Sequence, residues 1–110
     1  ARTGASPIHP FNDARVIAGQ STATAELLAE RPGLDVVITP VSGGGLLSGA
    51  ALAARRHART HGRPIDVVGA EPEGARDAFD SLAGGVRITG RTPHTICDGL
   101  RAELGFSSAG

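Results

Sequence analysis

The chain carries the stretch VVITPVSGGGLLSGAA at residues 36–51. A short run of β-branched residues leads into three consecutive glycines, and an alanine- and leucine-rich segment follows them. This order is typical of a strand, a tight loop and a helix. Such a loop, here called the glycine loop (residues 42–45), can direct several backbone N–H groups and the positive end of a helix dipole at one phosphate. The stretch therefore predicts an anion site at the end of a strand.

The segments on either side predict the same class of fold. We expect a helix after Asp13 with a weak point at Gly19. The other expected elements are strands over residues 34–39 and 65–70 and helices over residues 46–61 and 74–83. Two apolar strands joined by a helix indicate an α/β protein: part of an open parallel sheet with helices on both faces. We predict one partial domain, residues 1–110, in which residues 1–12 and 85–110 are largely irregular.

The composition excludes several classes of function. A chain of 110 residues can bury one core, and this core is built from small aliphatic side chains because there are three Phe and no Trp, Tyr or Met. The formal net charge of zero leaves no electrostatic signature of nucleic-acid binding. There is no long apolar run, and the single Cys97 cannot form an internal disulfide. We therefore expect a cytoplasmic protein that binds neither nucleic acid nor membrane.

Known glycine-loop patterns fit only in part. The chain contains no lysine, so the Gly-Lys-Ser/Thr ending of a P-loop is absent. In the dinucleotide pattern G-x-G-x-x-G, Gly43 and Gly45 fit, but Ser48 takes the third place and Gly49 comes one residue late. Glu71 ends the next strand, where dinucleotide-binding folds place a ribose-binding acid. A nucleotide- or anion-binding Rossmann-like module without catalysis is therefore an alternative, and a tight turn without a ligand is another.

Four other motifs accompany the glycine loop in a fixed order. The five motifs are HPFND at 9–13, AGQST at 18–22, PVSGGGL at 40–46, EP at 71–72 and TICDGL at 95–100. Together they resemble the fold-type II pyridoxal-phosphate enzymes, in the serine/threonine dehydratase and serine racemase branch. The resemblance implies pyridoxal 5'-phosphate as cofactor and a hydroxy amino acid as substrate. It implies either elimination to a 2-keto acid and ammonia or racemisation.

The resemblance also assigns cofactor-binding residues. It places the cofactor phosphate on the backbone N–H groups of Ser42, Gly43, Gly44, Gly45 and Leu46. The backbone of Gly99 would lie near the cofactor ring. Ser42 stands where the family often has a fourth glycine, and its hydroxyl either adds a donor or merely fits. The family's Schiff-base lysine lies before the matching segment, so we assign no catalytic residue and expect the chain to be inactive without the remainder of the enzyme.

A divalent cation site is implied at EPEGARD, residues 71–77. In the resemblance, Mg²⁺ or Ca²⁺ would be held by the carboxylates of Glu71 and Asp77 and the backbone carbonyl of Ala75. Acidic residues in the first turn of a helix also stabilise its dipole without any metal. Both interpretations of the acidic residues remain open at this point.

The predicted sheet also bears on association. A partial parallel sheet exposes an edge and an apolar face, so we expect self-association and a homo-oligomeric enzyme. A third possibility is a non-catalytic interaction fragment in which the glycine loop is vestigial. Such a fragment would bind another chain and no small ligand.

Overall fold

The computed structural model describes residues 3–105. Its elements are α1 (Ala14–Glu30), β1 (Val36–Pro40), α2 (Gly45–His61), β2 (Asp66–Ala70) and α3 (Asp77–Gly84), with short 3-10 turns at Glu73–Ala75 and Asp98–Leu100. Apart from the second 3-10 turn, residues 85–105 form no helix or strand, and neither do residues 3–13. The ends of both predicted irregular segments, residues 1–2 and 106–110, lie outside the described residues. Within residues 3–105, every helix is too short or too polar to cross a lipid bilayer.

The two strands pair in parallel. Val37 lies opposite Val67 and Pro40 lies opposite Ala70, and α2 forms the connection between the strands. This confirms the predicted α/β architecture with a parallel sheet. Because parallel strands end at the same edge, the glycine loop after β1 and Glu71 after β2 lie at one edge of the sheet.

Only one face of the sheet is covered by a helix among the described residues. Helix α2 packs against both strands, and Val37 and Thr39 are buried on that side. On the opposite side Val36, Ile38 and Val68 are 46%, 67% and 45% exposed. The expected second layer of helices is therefore not seen within residues 3–105. The continuous apolar run of β1 predicts that both faces of the strand are buried. Among the described residues, only one face is covered.

Helix α1 is continuous through Gly19, so the predicted weak point was wrong. The helix begins after Asp13, whose Oδ1 accepts a hydrogen bond from the Arg15 N–H at 2.8 Å. The side chain of Arg15 also pairs with this carboxylate and lowers the pKa of Asp13 to about 2. A glycine in a helix costs about 1 kcal/mol relative to alanine. The packing of α1 along α2 offsets this cost.

Helices α1 and α2 touch through their backbones at Gly49. A Cβ atom built on Gly49 would lie 2.6 Å from the backbone N of Ser21 and 2.9 Å from the carbonyl oxygen of Ile17. Such short approaches essentially never occur at real Cβ atoms. Ala50 and Ala53 are buried on the same helix. The small residues of α2 therefore allow α1 to approach it closely.

We expect Gly49→Ala to lower the free energy of unfolding by about 1–3 kcal/mol, because the added methyl group overpacks the helix contact. Gly19→Ala is the matched control, since a Cβ there meets no atom within 4 Å. This control should raise the free energy of unfolding by about 0.5–1 kcal/mol through better helix propensity. Urea denaturation followed by circular dichroism measures both changes. Equal effects of the two substitutions would contradict the close crossing at Gly49.

Candidate functional site

The start of α2 presents unused backbone donors. Gly44, the residue before the helix, has φ = +95°, a conformation that L side chains rarely adopt. The hydrogen bond from the Ser48 N–H to the Gly44 carbonyl measures 2.9 Å and is of the i→i−4 helical type. The N–H groups that precede it in the first turn have no partner within the helix. They are available to a ligand at the carboxyl end of β1.

The charges along α2 favour an anion at this end. The first turn contains no acidic residue, and no side chain caps the helix. The last turn carries Arg59 and His61, at the end where a cation stabilises the dipole. The positive end of the dipole at the glycine loop is therefore not neutralised by α2 itself. Unused N–H groups and an uncompensated dipole are what a phosphate requires.

Side chains could not replace the glycines without moving their neighbours. A Cβ on Gly43 would overlap the ring of Phe11 at Cγ and Cδ2, and a Cβ on Gly45 would lie 3.0 Å from the Phe11 Cβ. The carbonyl of Gly43 accepts a hydrogen bond from the Gly105 N–H at 2.9 Å. The loop is thus a cradle of bare backbone. A phosphate group fits this donor set, since no carboxylate of α2 competes for it.

The structure shows what the Ser42 hydroxyl does. Its Oγ accepts a hydrogen bond from the Ala102 N–H at 2.9 Å and lies 3.4 Å from the Ala102 carbonyl oxygen. The hydroxyl thus ties the loop to the segment 101–105. Leu46 is half-buried in the first turn of α2. Gly99 lies in the 3-10 turn before this segment, where a Cβ would meet no atom within 4 Å. The structure gives no packing reason for glycine at that position.

Glu71 caps helix α3. Its Oε1 accepts from the Ala78 N–H at 3.1 Å, and its Oε2 accepts from the Phe79 N–H at 2.9 Å. Partial burial raises the pKa of Glu71 above its ordinary value. The two N–H donors oppose this rise, whereas the neighbouring carboxyl of Asp77 adds to it. Glu71 is therefore a carboxylate held between helix donors and a second acid.

Two of the three predicted metal ligands, Glu71 and Asp77, are neighbours at the start of α3. Asp77 is the first residue of α3 and its Oδ2 accepts from the Leu104 N–H at 3.2 Å, while Ala75 is buried in the preceding 3-10 turn. Carboxylate oxygens keep a second lone pair after one hydrogen bond, so Glu71 and Asp77 retain capacity for a hard cation. Residues 3–105 contain no cluster of three or more His, Cys, Asp or Glu side chains suited to a metal. An ion here would need the Ala75 carbonyl and water.

One residue of each candidate site lines the same cleft, whereas Ala75 and Asp77 line a separate one. Gly44 and Glu71 both line a space of about 340 Å³ between the start of α2 and α3. Its walls are mainly apolar and include Leu47, Phe79 and Leu82. The structure thus places Gly44 and Glu71 at one cleft, as the shared edge of the sheet predicts.

Contacts to the glycine loop from distant segments were missed by the sequence analysis. Phe11 lies within the quoted motif HPFND, but its place against Gly43 could not be inferred from the motif. Ala102 and Gly105 follow the motif TICDGL, and their N–H groups donate to the Ser42 hydroxyl and to the Gly43 carbonyl. The sequence shows that these motifs occur in the same chain as the loop motif. It does not show which of their residues contact the loop.

Comparisons with known proteins connect this geometry to a family. The family described as pyridoxal-phosphate dependent enzyme matches residues 1–109. Serine racemase of rice (Oryza sativa subsp. japonica) is 50% identical over 103 residues, which cover 94% of this chain and 29% of that protein. The β-hydroxyaspartate dehydratase of Paracoccus denitrificans is 43% identical over 104 residues, which cover 94% of this chain and 32% of that protein.

A solved structure shows the same fold. Maize serine racemase superposes with a TM-score of 0.88 at 46% sequence identity, covering 98% of this chain and 33% of that one. The chain thus spans about a third of the length of these relatives. The agreement confirms the resemblance that the five sequence motifs indicate. The chain belongs to the pyridoxal-phosphate dependent enzymes, in the serine/threonine dehydratase and serine racemase branch.

Proposed function

We propose that this chain is the phosphate-binding part of a pyridoxal 5'-phosphate enzyme that acts on a hydroxy amino acid. The glycine loop carries the proposal, because unused N–H groups and an uncompensated helix dipole meet at the end of β1. The reaction is either elimination to a 2-keto acid and ammonia or racemisation. Relatives named serine racemase and β-hydroxyaspartate dehydratase support this pair of reactions. The activity belongs to a complete enzyme, since the chain spans about a third of its relatives.

The chain's own residues bind and orient. Backbone N–H groups of residues 42–46 would donate to the cofactor phosphate, and the backbone of Gly99 would lie near the cofactor ring. When bound, the cofactor supplies a ring that stabilises negative charge at the substrate Cα. No residue of this chain supplies the amine that anchors the cofactor, because the sequence contains no lysine. Its role is to fix the phosphate and thereby the orientation of the ring.

A nucleotide-binding module is not favoured. Glu71 would be its ribose-binding acid, but the capping of α3 already accounts for an acid at this position. The family match over residues 1–109 also supports the enzyme assignment. The interpretation of the loop as vestigial is not favoured either, because the backbone donors that a phosphate needs are retained at the start of α2.

A divalent cation is the second part of the proposal. Glu71, Ala75 and Asp77 would hold Mg²⁺ or Ca²⁺, with water completing the coordination. The raised pKa of Glu71 supports the site, since burial and a neighbouring carboxyl both disfavour its negative charge and a cation would relieve this. The cation would fix the connection between β2 and α3.

The homo-oligomer and the cytoplasmic location remain predictions. The exposed side chains of Val36, Ile38 and Val68 support association, because they form an apolar face on the paired strands. This face is also available to the remainder of the enzyme. The single cysteine, Cys97, is consistent with a reducing compartment.

We expect Gly44→Ala in the complete enzyme to weaken the binding of pyridoxal 5'-phosphate and of inorganic phosphate. A side chain at φ = +95° costs about 1–3 kcal/mol and displaces the loop, which corresponds to about ten-fold or more in affinity. Gly62→Ala is the matched control, because Gly62 has φ = +65° at the opposite end of the same helix. Titration calorimetry measures both ligands. Unchanged affinity in Gly44→Ala, or an equal loss in Gly62→Ala, would contradict the assignment.

For the cation, we expect Mg²⁺ or Ca²⁺ to raise the thermal unfolding temperature of the complete enzyme. Glu71→Gln and Asp77→Asn should each abolish this rise, because each removes one anionic oxygen ligand. Glu73→Gln, an exposed acid of the same segment, is the matched control and should preserve it. If Glu71→Gln lowers the unfolding temperature equally with and without the cation, Glu71 acts only as a helix cap.

A further inference from the structure

The segment HPFND, residues 9–13, is folded around His9. The Nδ1 atom of His9 accepts hydrogen bonds from the Asn12 N–H at 2.8 Å and from the Phe11 N–H at 3.3 Å. The rings of His9 and Phe11 meet edge to face, with centroids 4.7 Å apart and an interplanar angle of 87°. Contacts within the segment therefore set the direction of the Phe11 ring.

Phe11 lies directly against the glycine loop. Its ring occupies the space that a Cβ on Gly43 would need, and its own Cβ, Cα and carbonyl oxygen lie 3.0–3.1 Å from a Cβ built on Gly45. A Cβ on Gly105 would lie 3.1 Å from the Phe11 ring. The position of the Phe11 ring and the path of the glycine loop therefore depend on each other.

This packing gives Gly43 and Gly45 a reason to be glycine other than the approach of a phosphate. At Gly44 the reason is the backbone conformation, since φ is +95°. At Gly43 and Gly45 no positive φ is found, and the Cβ positions are filled by Phe11. A loop of three glycines is flexible on its own, so a fixed support lowers the entropy lost when a ligand binds.

We propose that Phe11 is a positioning residue for the phosphate-binding loop. Its ring, oriented by His9, supports Gly43 and Gly45 so that the N–H groups at the start of α2 converge on the phosphate. Phe11 exchanges no proton and forms no bond, so its effect is on cofactor affinity and orientation. The inference rests on the proposed function and names a residue outside the loop on which that function depends.

A double-mutant cycle in the complete enzyme tests the inference, with Phe11→Ala, Gly43→Ala and both together. The affinities for pyridoxal 5'-phosphate and inorganic phosphate are measured by titration calorimetry. We expect each single variant to lose about ten-fold in affinity. Phe11→Ala would loosen the glycine loop, and the methyl group of Gly43→Ala would overlap the Phe11 ring. The double variant should bind more tightly than Gly43→Ala alone, because the methyl group added at position 43 enters space that the ring vacates. Losses that multiply would overturn the inference.

Further variants separate positioning from general destabilisation. His9→Asn keeps an acceptor near the position of Nδ1 and should retain more affinity than His9→Ala. Phe11→Leu keeps apolar volume, so its affinity should fall between those of the wild type and Phe11→Ala. If Phe11→Ala does not fold, Phe11→Leu takes its place in the cycle. Unfolding temperatures of the cofactor-free variants are measured in parallel. Lost affinity that follows only these temperatures would overturn the inference.

The cycle also distinguishes this inference from the proposed function. If the wild-type enzyme binds the cofactor and Gly44→Ala weakens it, but Phe11→Ala has no effect, only the role of Phe11 is wrong. If neither ligand depends on Gly44, the proposed function itself is wrong.

Discussion

The parallel pairing of β1 with β2 is the constraint on which the candidate site depends. Pairing continues one residue past β1, where the Val41 N–H donates to the Ala70 carbonyl at 2.9 Å. The backbone is therefore held in register up to the glycine loop. Because both strands end at one edge, the loop and Glu71 open into the same cleft. Helix α2, which connects the two strands, is itself closely packed, since Gly49 lets the backbone of α1 approach it.

Features that depend on neighbouring residues were predictable from the sequence. The β-branched run predicts β1 and the alanines predict α2, which ends at Gly62 in the left-handed conformation. The weak point at Gly19 was not found, because packing between α1 and α2 outweighs a local propensity of about 1 kcal/mol. Helix propensity is a property of one segment, whereas the helix forms in contact with another.

Features that depend on distant residues were not predictable. Phe11 meets Gly43, and the Ser42 hydroxyl bonds to Ala102, which is 60 positions away along the chain. No spacing rule links such positions. The apolar run of β1 is a related case, because it indicates burial on both faces while the described residues cover one. A sequence pattern reports that a partner surface is needed but does not identify it.

The bonds from the glycine loop to Ala102 and Gly105 have a consequence for folding. They join residues far apart along the chain, and closing a long loop costs entropy before any contact is gained. The helices and the strand pair can form from closer contacts, so the cradle is completed late. During synthesis, Ser42 emerges long before Ala102. A nascent chain therefore completes the cradle at the glycine loop only when residues 101–105 have left the ribosome and docked.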